Sequence, residues 1–146
     1  MAEQTKGQIE IAAIPAEVLA VITDFEAYPE WVTGMTKAAV QTKDSKERAT
    51  EVSFEVNQMG VGAKYTLAYK YKAKEGGLSW TTKSASGAVK DIKGEYVLEP
   101  AGESTNVTYR TTIDLAIPMM GFMKRQAEKV IISTALDGLK KRVESR

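Results

Sequence analysis

The stretch MMGFMKRQAEKVIISTALDGLKKRVE, residues 119–144, contains no proline and only two glycines, Gly121 and Gly138. Ile132, Leu136, Leu139 and Val143 recur at helical spacing, and Ala127, Ile131 and Ala135 widen that apolar face. Lys129, Ser133, Asp137 and Lys140 fall on the opposite side. Pro118 stops whatever precedes it. The spacing predicts a long amphipathic helix of roughly 35–40 Å at about 1.5 Å rise per residue. Such a helix needs something broad and apolar to lie against.

The preceding segments supply it. Residues 37–42, 49–56, 64–72, 78–85, 92–99 and 106–115 read as strands, separated by turn signals such as Lys43-Asp44-Ser45, Glu75-Gly76-Gly77 and Pro100-Ala101-Gly102. Links this short predict an antiparallel meander. Gln8-Ile9-Glu10-Ile11 alternates as a first strand does, which brings the sheet to about seven strands. Pro15, with Glu17 behind it, suits the opening of a short helix through Val18, Leu19 and Ile22. Pro29 then suits a second short helix or a turn. The expectation is an α+β chain: a curved seven-stranded antiparallel sheet wrapped around a long C-terminal helix, with two short helices after strand 1. A curved sheet gripping one helix leaves a cavity between them. The short helices then form its lid, and residues 1–146 make one domain.

Composition removes several kinds of chemistry. The chain has no Cys, hence no disulfide, thiolate zinc site or Cys nucleophile, and no His, the commonest general base and metal ligand. Twenty Lys and Arg against 19 Asp and Glu leave a net charge of +1, with no electrostatic reason to expect nucleic acid. No apolar run is long enough for a signal sequence or a stable membrane insertion. The reading is a cytoplasmic protein without cofactor or metal, its oligomeric state open.

Strand parity then describes the cavity wall. Alternate residues share a face, and the apolar parity places inward Val52, Phe54 and Val56; Tyr65, Leu67, Tyr69 and Tyr71; and Leu78, Trp80, Thr82 and Ser84. Ile92, Gly94, Tyr96 and Leu98 follow, then Val107, Tyr109, Thr111, Ile113 and Leu115. No Lys, Arg or carboxylate stands on this parity, although one bulge would turn Glu55 or Arg110 inward. One inward ring alone is ordinary core, but several tyrosines packed solid would leave many hydroxyls to satisfy. The segment DFEAYPEWV, residues 24–32, places Phe25, Tyr28 and Trp31 at the rim, with Trp31 expected to face the interior. Met119, Met120 and Met123, together with Met35 and Met59, suggest a soft entrance gate.

Certain motifs resemble the SRPBCC superfamily, also called START-like or helix-grip, in its bacterial polyketide cyclase/dehydrase-like and coenzyme Q-binding-like branch. They are Ile11-x-x-x-Pro15-Ala-Glu17-Val18, Asp24-x-x-x-Tyr28-Pro29-x-Trp31, Val52-x-Phe54-x-Val56, Tyr65-x-Leu67-x-Tyr69, Ser79-Trp80 and Leu136-x-x-Leu139-Lys140-Lys141-Arg142. The resemblance covers the whole chain and implies the helix-grip fold. It leaves three functions open, because one fold hosts many activities. The uncharged wall favours binding and carriage of a hydrophobic small molecule such as a lipid, quinone, polyketide or terpenoid. The expected contacts are Trp31, Phe54, Val56, Tyr65, Leu67, Tyr69, Trp80, Tyr96, Tyr109, Met119, Met120 and Met123, with no catalytic residue. The alternatives are a cyclase, aromatase or dehydratase that shapes its substrate and uses Tyr hydroxyls, and an interaction module with an incidental cavity. An acidic side chain reaching the middle of the hollow would turn the preference toward chemistry.

Overall fold

A computed structural model describes residues 5–32, 34–58, 61–115 and 121–145. Strand β1 (Thr5–Ile11) leads into helix α1 (Pro15–Ile22) and a 3-10 segment (Phe25–Glu30). Strands β2 (Met35–Lys43), β3 (Ala49–Gln58), β4 (Val61–Tyr71), β5 (Gly77–Gly87), β6 (Val89–Ala101) and β7 (Ser104–Leu115) follow, and helix α2 (Gly121–Glu144) completes the order. The sheet runs β1-β7-β6-β5-β4-β3-β2, and every neighbouring pair is antiparallel. Short turns make β2 to β7 a meander, and β1 closes the far edge against β7.

Pro15 occupies the first turn of α1, where its missing N–H costs nothing. Val18, Val21 and Ile22 bury the inner face of that helix. The Thr23 hydroxyl donates to the Leu19 carbonyl at 2.8 Å as the helix ends.

Helix α2 seats chiefly on β1, and to a lesser degree on α1 and β7. Gly7 permits this: a Cβ there would stand 2.4 Å from Ile132 Cγ2 and 3.1 Å from Leu136 Cδ1. Its C-terminal end is tied down by Lys140 Nζ, which donates to the Glu10 carbonyl at 2.8 Å, and by Glu144, which accepts from the Ala12 N–H at 2.9 Å. The Lys140 and Ala12 hydrogen bonds hold the Glu144 carboxyl below its usual range. Ile132, Leu136, Leu139 and Val143 are buried, whereas Ile131 is 40% exposed. The apolar face of α2 is thus narrower than its composition suggests, because the helix lies over one side of the sheet and buries a single row.

The parity of the wall holds with one correction. Between Thr82 and Ser84 the β4–β5 register shifts: Leu67 faces Thr82, but Thr66 faces Ser84. Ser84 is therefore exposed rather than inward, and Ala85 takes its place opposite Tyr65. A bulge adds one residue, and parity inverts beyond it. Glu55 and Arg110 stay outward, paired with Lys64 at 3.5 Å and Glu95 at 2.9 Å.

Gly94 lies opposite Trp80 on β5 and Thr111 on β7. A Cβ here would stand 2.3 Å from the Arg110 carbonyl oxygen and 3.0 Å from Trp80 Cζ2. Since the first obstacle is backbone, the strand itself would have to move. Gly94→Ala should cost about 3 kcal/mol, the upper end for overpacking, read as a lower urea midpoint. An unchanged midpoint would mean that the close approach of β6 to β7 is not needed.

Candidate functional site

Nine rings form one connected wall. Phe25 sits 4.6 Å from Tyr69 and 6.4 Å from Phe54 between ring centroids. Tyr28 joins Phe25 at 5.4 Å, Phe54 at 5.8 Å and Trp31 at 5.1 Å. The chain of contacts continues from Phe54 to Tyr65 at 5.5 Å and from Tyr69 to Trp80 at 6.0 Å. Trp80 meets Tyr96 at 5.4 Å and Tyr109 at 5.6 Å, and these two tyrosines stand 4.8 Å apart, edge to face. Aromatic pairs at these spacings are favourable beyond the area they bury.

The rings are slightly less covered than the aliphatic core around them. Ile11, Val18, Leu78, Val107 and Leu139 have no exposure, whereas Tyr69, Trp80 and Tyr96 keep 8%, 6% and 7%. Tyr65 and Tyr109 are only half-buried. Among the described residues no buried side-chain nitrogen or oxygen lacks a hydrogen-bond partner. No partner among those residues is found for the Tyr65, Tyr69 and Tyr96 hydroxyls.

Two other tyrosines spend their hydroxyls on structure. Tyr28 donates to the Ile22 carbonyl, which ties the 3-10 segment to α1. Tyr71 donates to the Ala49 carbonyl at 2.7 Å, with the Arg48 guanidinium 4.7 Å from its ring centre.

Burial governs the acidity of the wall. It pushes the Tyr109 hydroxyl up to about 12, with the Thr111 hydroxyl hydrogen bond pulling weakly the other way. Tyr28, Tyr65, Tyr69 and Tyr96 are raised further, again by burial first and by neighbouring tyrosines second. Raised values favour the neutral phenol. Near neutral pH these groups are therefore hydrogen-bond donors, and poor bases.

The expected contacts divide as follows. Phe54, Val56, Tyr65, Leu67, Tyr69, Trp80, Tyr96 and Tyr109 share the concave face. Trp31 is half-buried, edge-on to Tyr28 and against α2, where a Cβ on Gly138 would stand 3.4 Å from Trp31 Cε3. It lines a cleft of about 230 Å³ with Val21, Asp24, Arg142 and Ser145. The fully buried ring of that segment is Phe25, at 1% exposure. Met119, Met120 and Met59 lie outside the described residues, as does the side chain of Met123 within α2, while Met35 is half-buried against the core.

One polar residue was not anticipated. Glu128 on α2 is only 2% exposed, and its Oε2 accepts from the Ile113 N–H at 3.4 Å. Ile113 lies two residues past Thr111, which pairs with Thr5, the first described residue of β1. Glu128 therefore meets β7 near the end of the strand and serves a backbone donor there. The signal was available: Glu128 precedes Ile132 by four residues and belongs to the same buried row. Among the described residues no three His, Cys, Asp or Glu converge as metal ligands, and no helix is long and apolar enough to cross a membrane.

The sequence model of a family described as polyketide cyclase / dehydrase and lipid transport matches residues 3–144. No curated protein matches the sequence. Among solved structures, a START superfamily protein from Mycobacterium smegmatis superposes with a TM-score of 0.88 at 19% identity, covering 97% of each chain. The Zhui aromatase/cyclase from a Streptomyces species gives 0.80 at 13% identity, over 100% of this chain and 96% of that one. A STAR-related lipid transfer protein from Xanthomonas axonopodis gives 0.72 at 15%, over 97% and 85%. At such identities the likeness speaks for the fold alone.

Proposed function

Since the chain belongs to the polyketide cyclase/dehydrase and lipid transport family, we propose that it binds and carries a small hydrophobic ligand in the hollow behind the nine-ring wall. A lipid, quinone, polyketide or terpenoid has the required chemistry. The observation that carries this reading is the separation of charge from wall. Every Lys, Arg, Asp and Glu on β3 to β7 stands on the outward parity or in a bulge, several in ion pairs such as Lys83–Glu51 and Lys72–Glu95. An apolar lining with a few placed hydrogen-bonding groups is the usual make-up of a small-molecule site. Burying a ten-carbon chain contributes on the order of 8 kcal/mol before association costs, at about 0.8 per methylene. Micromolar binding is reachable without a charged contact.

Native mass spectrometry and lipid-extract thermal shift test the reading together. A retained apolar molecule, or a rise in melting temperature with an apolar fraction, is expected. Absence of both removes the proposal. Tyr69→Phe and Tyr96→Phe should each weaken a ligand bearing a hydroxyl or carbonyl by about three- to tenfold, the worth of one hydrogen bond, and leave a purely hydrocarbon probe unchanged. Calorimetric titration separates the two.

The buried Glu128 favours a second reading, a cyclase, aromatase or dehydratase. A buried carboxylate and neutral phenols are groups able to move a proton. Turnover of a polyketide-like substrate that survives Tyr→Phe at Tyr65, Tyr69, Tyr96 and Tyr109 would exclude the phenol part of that mechanism.

A further inference from the structure

The two edges of the sheet are finished differently. Edge strand β2 shifts register against β3 at three places, and its Val40 N–H is capped by Glu26 Oε2 at 3.4 Å. Bulges and capping of this kind keep an edge from recruiting another strand. Edge strand β1 instead runs in unbroken register with β7 from Thr5 to Ile11. Its outer side is served by α2 at one end only. There Lys140 Nζ donates to the Glu10 carbonyl, and Glu144 accepts from the Ala12 N–H just past the strand.

In an antiparallel pair the N–H and C=O of one residue point to the same side, and the side alternates along the strand. Gln8 and Lys6 therefore turn their backbone groups outward, as Glu10 does. Among the described residues no hydrogen bond from outside the sheet reaches these two N–H and two C=O groups. The Gln8 side chain is engaged elsewhere, with Nε2 donating to Thr108 Oγ1 at 3.1 Å, so Gln8 offers only backbone sideways. Across from this stretch, the α2 row that ends in Lys140 stands off. Lys129, Ser133 and Asp137 border a cleft of about 270 Å³ that runs along β1 from Lys6 to Ile9. Two ammonium groups and one carboxylate line it, and Lys6, Gln8 and Lys129 are exposed.

We propose that this open stretch of β1 docks an extended acidic segment of a partner protein, which joins the sheet as a further strand beside Lys6 and Gln8. Main-chain hydrogen bonds supply affinity in strand addition, and alternate side chains supply specificity. One face of the added strand lies along Ile9, and the other sets a carboxylate beside Lys6, an opposite-charge cross-strand pair. A second copy of this chain fits less well. A two-fold pairing over the same residues sets Lys6 and Lys129 near their own copies, like charge against like. The proposal is independent of what the hollow holds.

The experiment uses a blocked octapeptide of alternating valine and glutamate, a valine–lysine counterpart, and a version with proline in place of each valine, which cannot donate to a ladder. In the free protein the Lys6 and Gln8 amides should exchange rapidly with solvent. Excess valine–glutamate peptide should slow both by at least about tenfold, and the other two peptides should not. Lys6→Glu, an exposed change, should weaken the acidic peptide by about threefold or more. Gln8→Pro removes one outward donor at an edge position where proline is tolerated and should abolish the protection of Lys6. Circular dichroism reports whether each variant keeps its fold.

Amides already protected in the free monomer overturn the inference, as do equal effects of the acidic, basic and proline peptides or no effect of any. Sedimentation that reveals a dimer whose formation protects the same amides assigns the edge to a second copy and overturns it too.

Discussion

Raised above pH 10, the protein should lose its fold in one cooperative step before its buried tyrosines ionise. Unfolded tyrosines titrate at about 10. In the folded protein burial holds Tyr109 near 12 and Tyr28, Tyr65, Tyr69 and Tyr96 higher still. Below pH 10 both states keep these protons, so the wall's contribution is fully present. Between 10 and 12 the unfolded chain releases protons that the folded chain retains, and stability falls as pH rises. Each tyrosine approaches about 1.4 kcal/mol of loss per pH unit. Five together reach roughly 7 kcal/mol by about pH 11, comparable with the whole stability of a typical domain, about 5–15 kcal/mol. Phenolate absorbance and far-ultraviolet circular dichroism, followed in one titration, should change together. A gradual release of all six tyrosine protons near pH 10 with the dichroism intact would show a wall already wet, and the neutral-donor argument would go with it.

Phe25→Ala should be the most damaging single truncation of the 3-10 segment. Phe25 is 1% exposed and touches the rings of Tyr28, Phe54 and Tyr69, so it joins the 3-10 segment to β3 and β4. Removing a buried ring of this kind costs about 3–5 kcal/mol, from lost transfer energy and the space left behind. For a chain of this size that is a fall in melting temperature of roughly 10 °C. Trp31→Ala, at a half-buried site, should cost well under half as much. A reversed order, with Trp31 the more damaging, would mean that Trp31 rather than Phe25 anchors the 3-10 segment to the sheet.

The contrast between Phe25 and Trp31 shows where sequence reasoning reaches and where it stops. Three aromatics beside Pro29 marked a segment that packs against the sheet, because a solvated turn has no use for rings. Which ring turns inward was not legible. A 3-10 segment repeats every three residues, so Phe25 and Tyr28 eclipse one another and share a face, while Trp31 has left the helical conformation at φ −137°. That detail depends on where the helix stops, and the stop depends on what lies across from it. Glu128 is the converse case. Its spacing from Ile132 placed it on the buried row, but a carboxylate in such a row reads as the end of the apolar face unless a donor is known to be waiting. The donor, the Ile113 N–H, belongs to β7 and is brought to Glu128 only by the packing of α2 against the sheet.

The sequence by itself determined the order of elements, the antiparallel meander and the uncharged parity of β3 to β7. These follow from repeats of two and 3.6 residues and from short links, which each segment carries locally. Only the tertiary structure decided the bulge that turns Ser84 outward, the seat of α2 on β1 and the burial of Glu128. Each depends on how closely two distant backbones approach, and that distance is set by small residues such as Gly7 and Gly138 acting on partners far away in the chain.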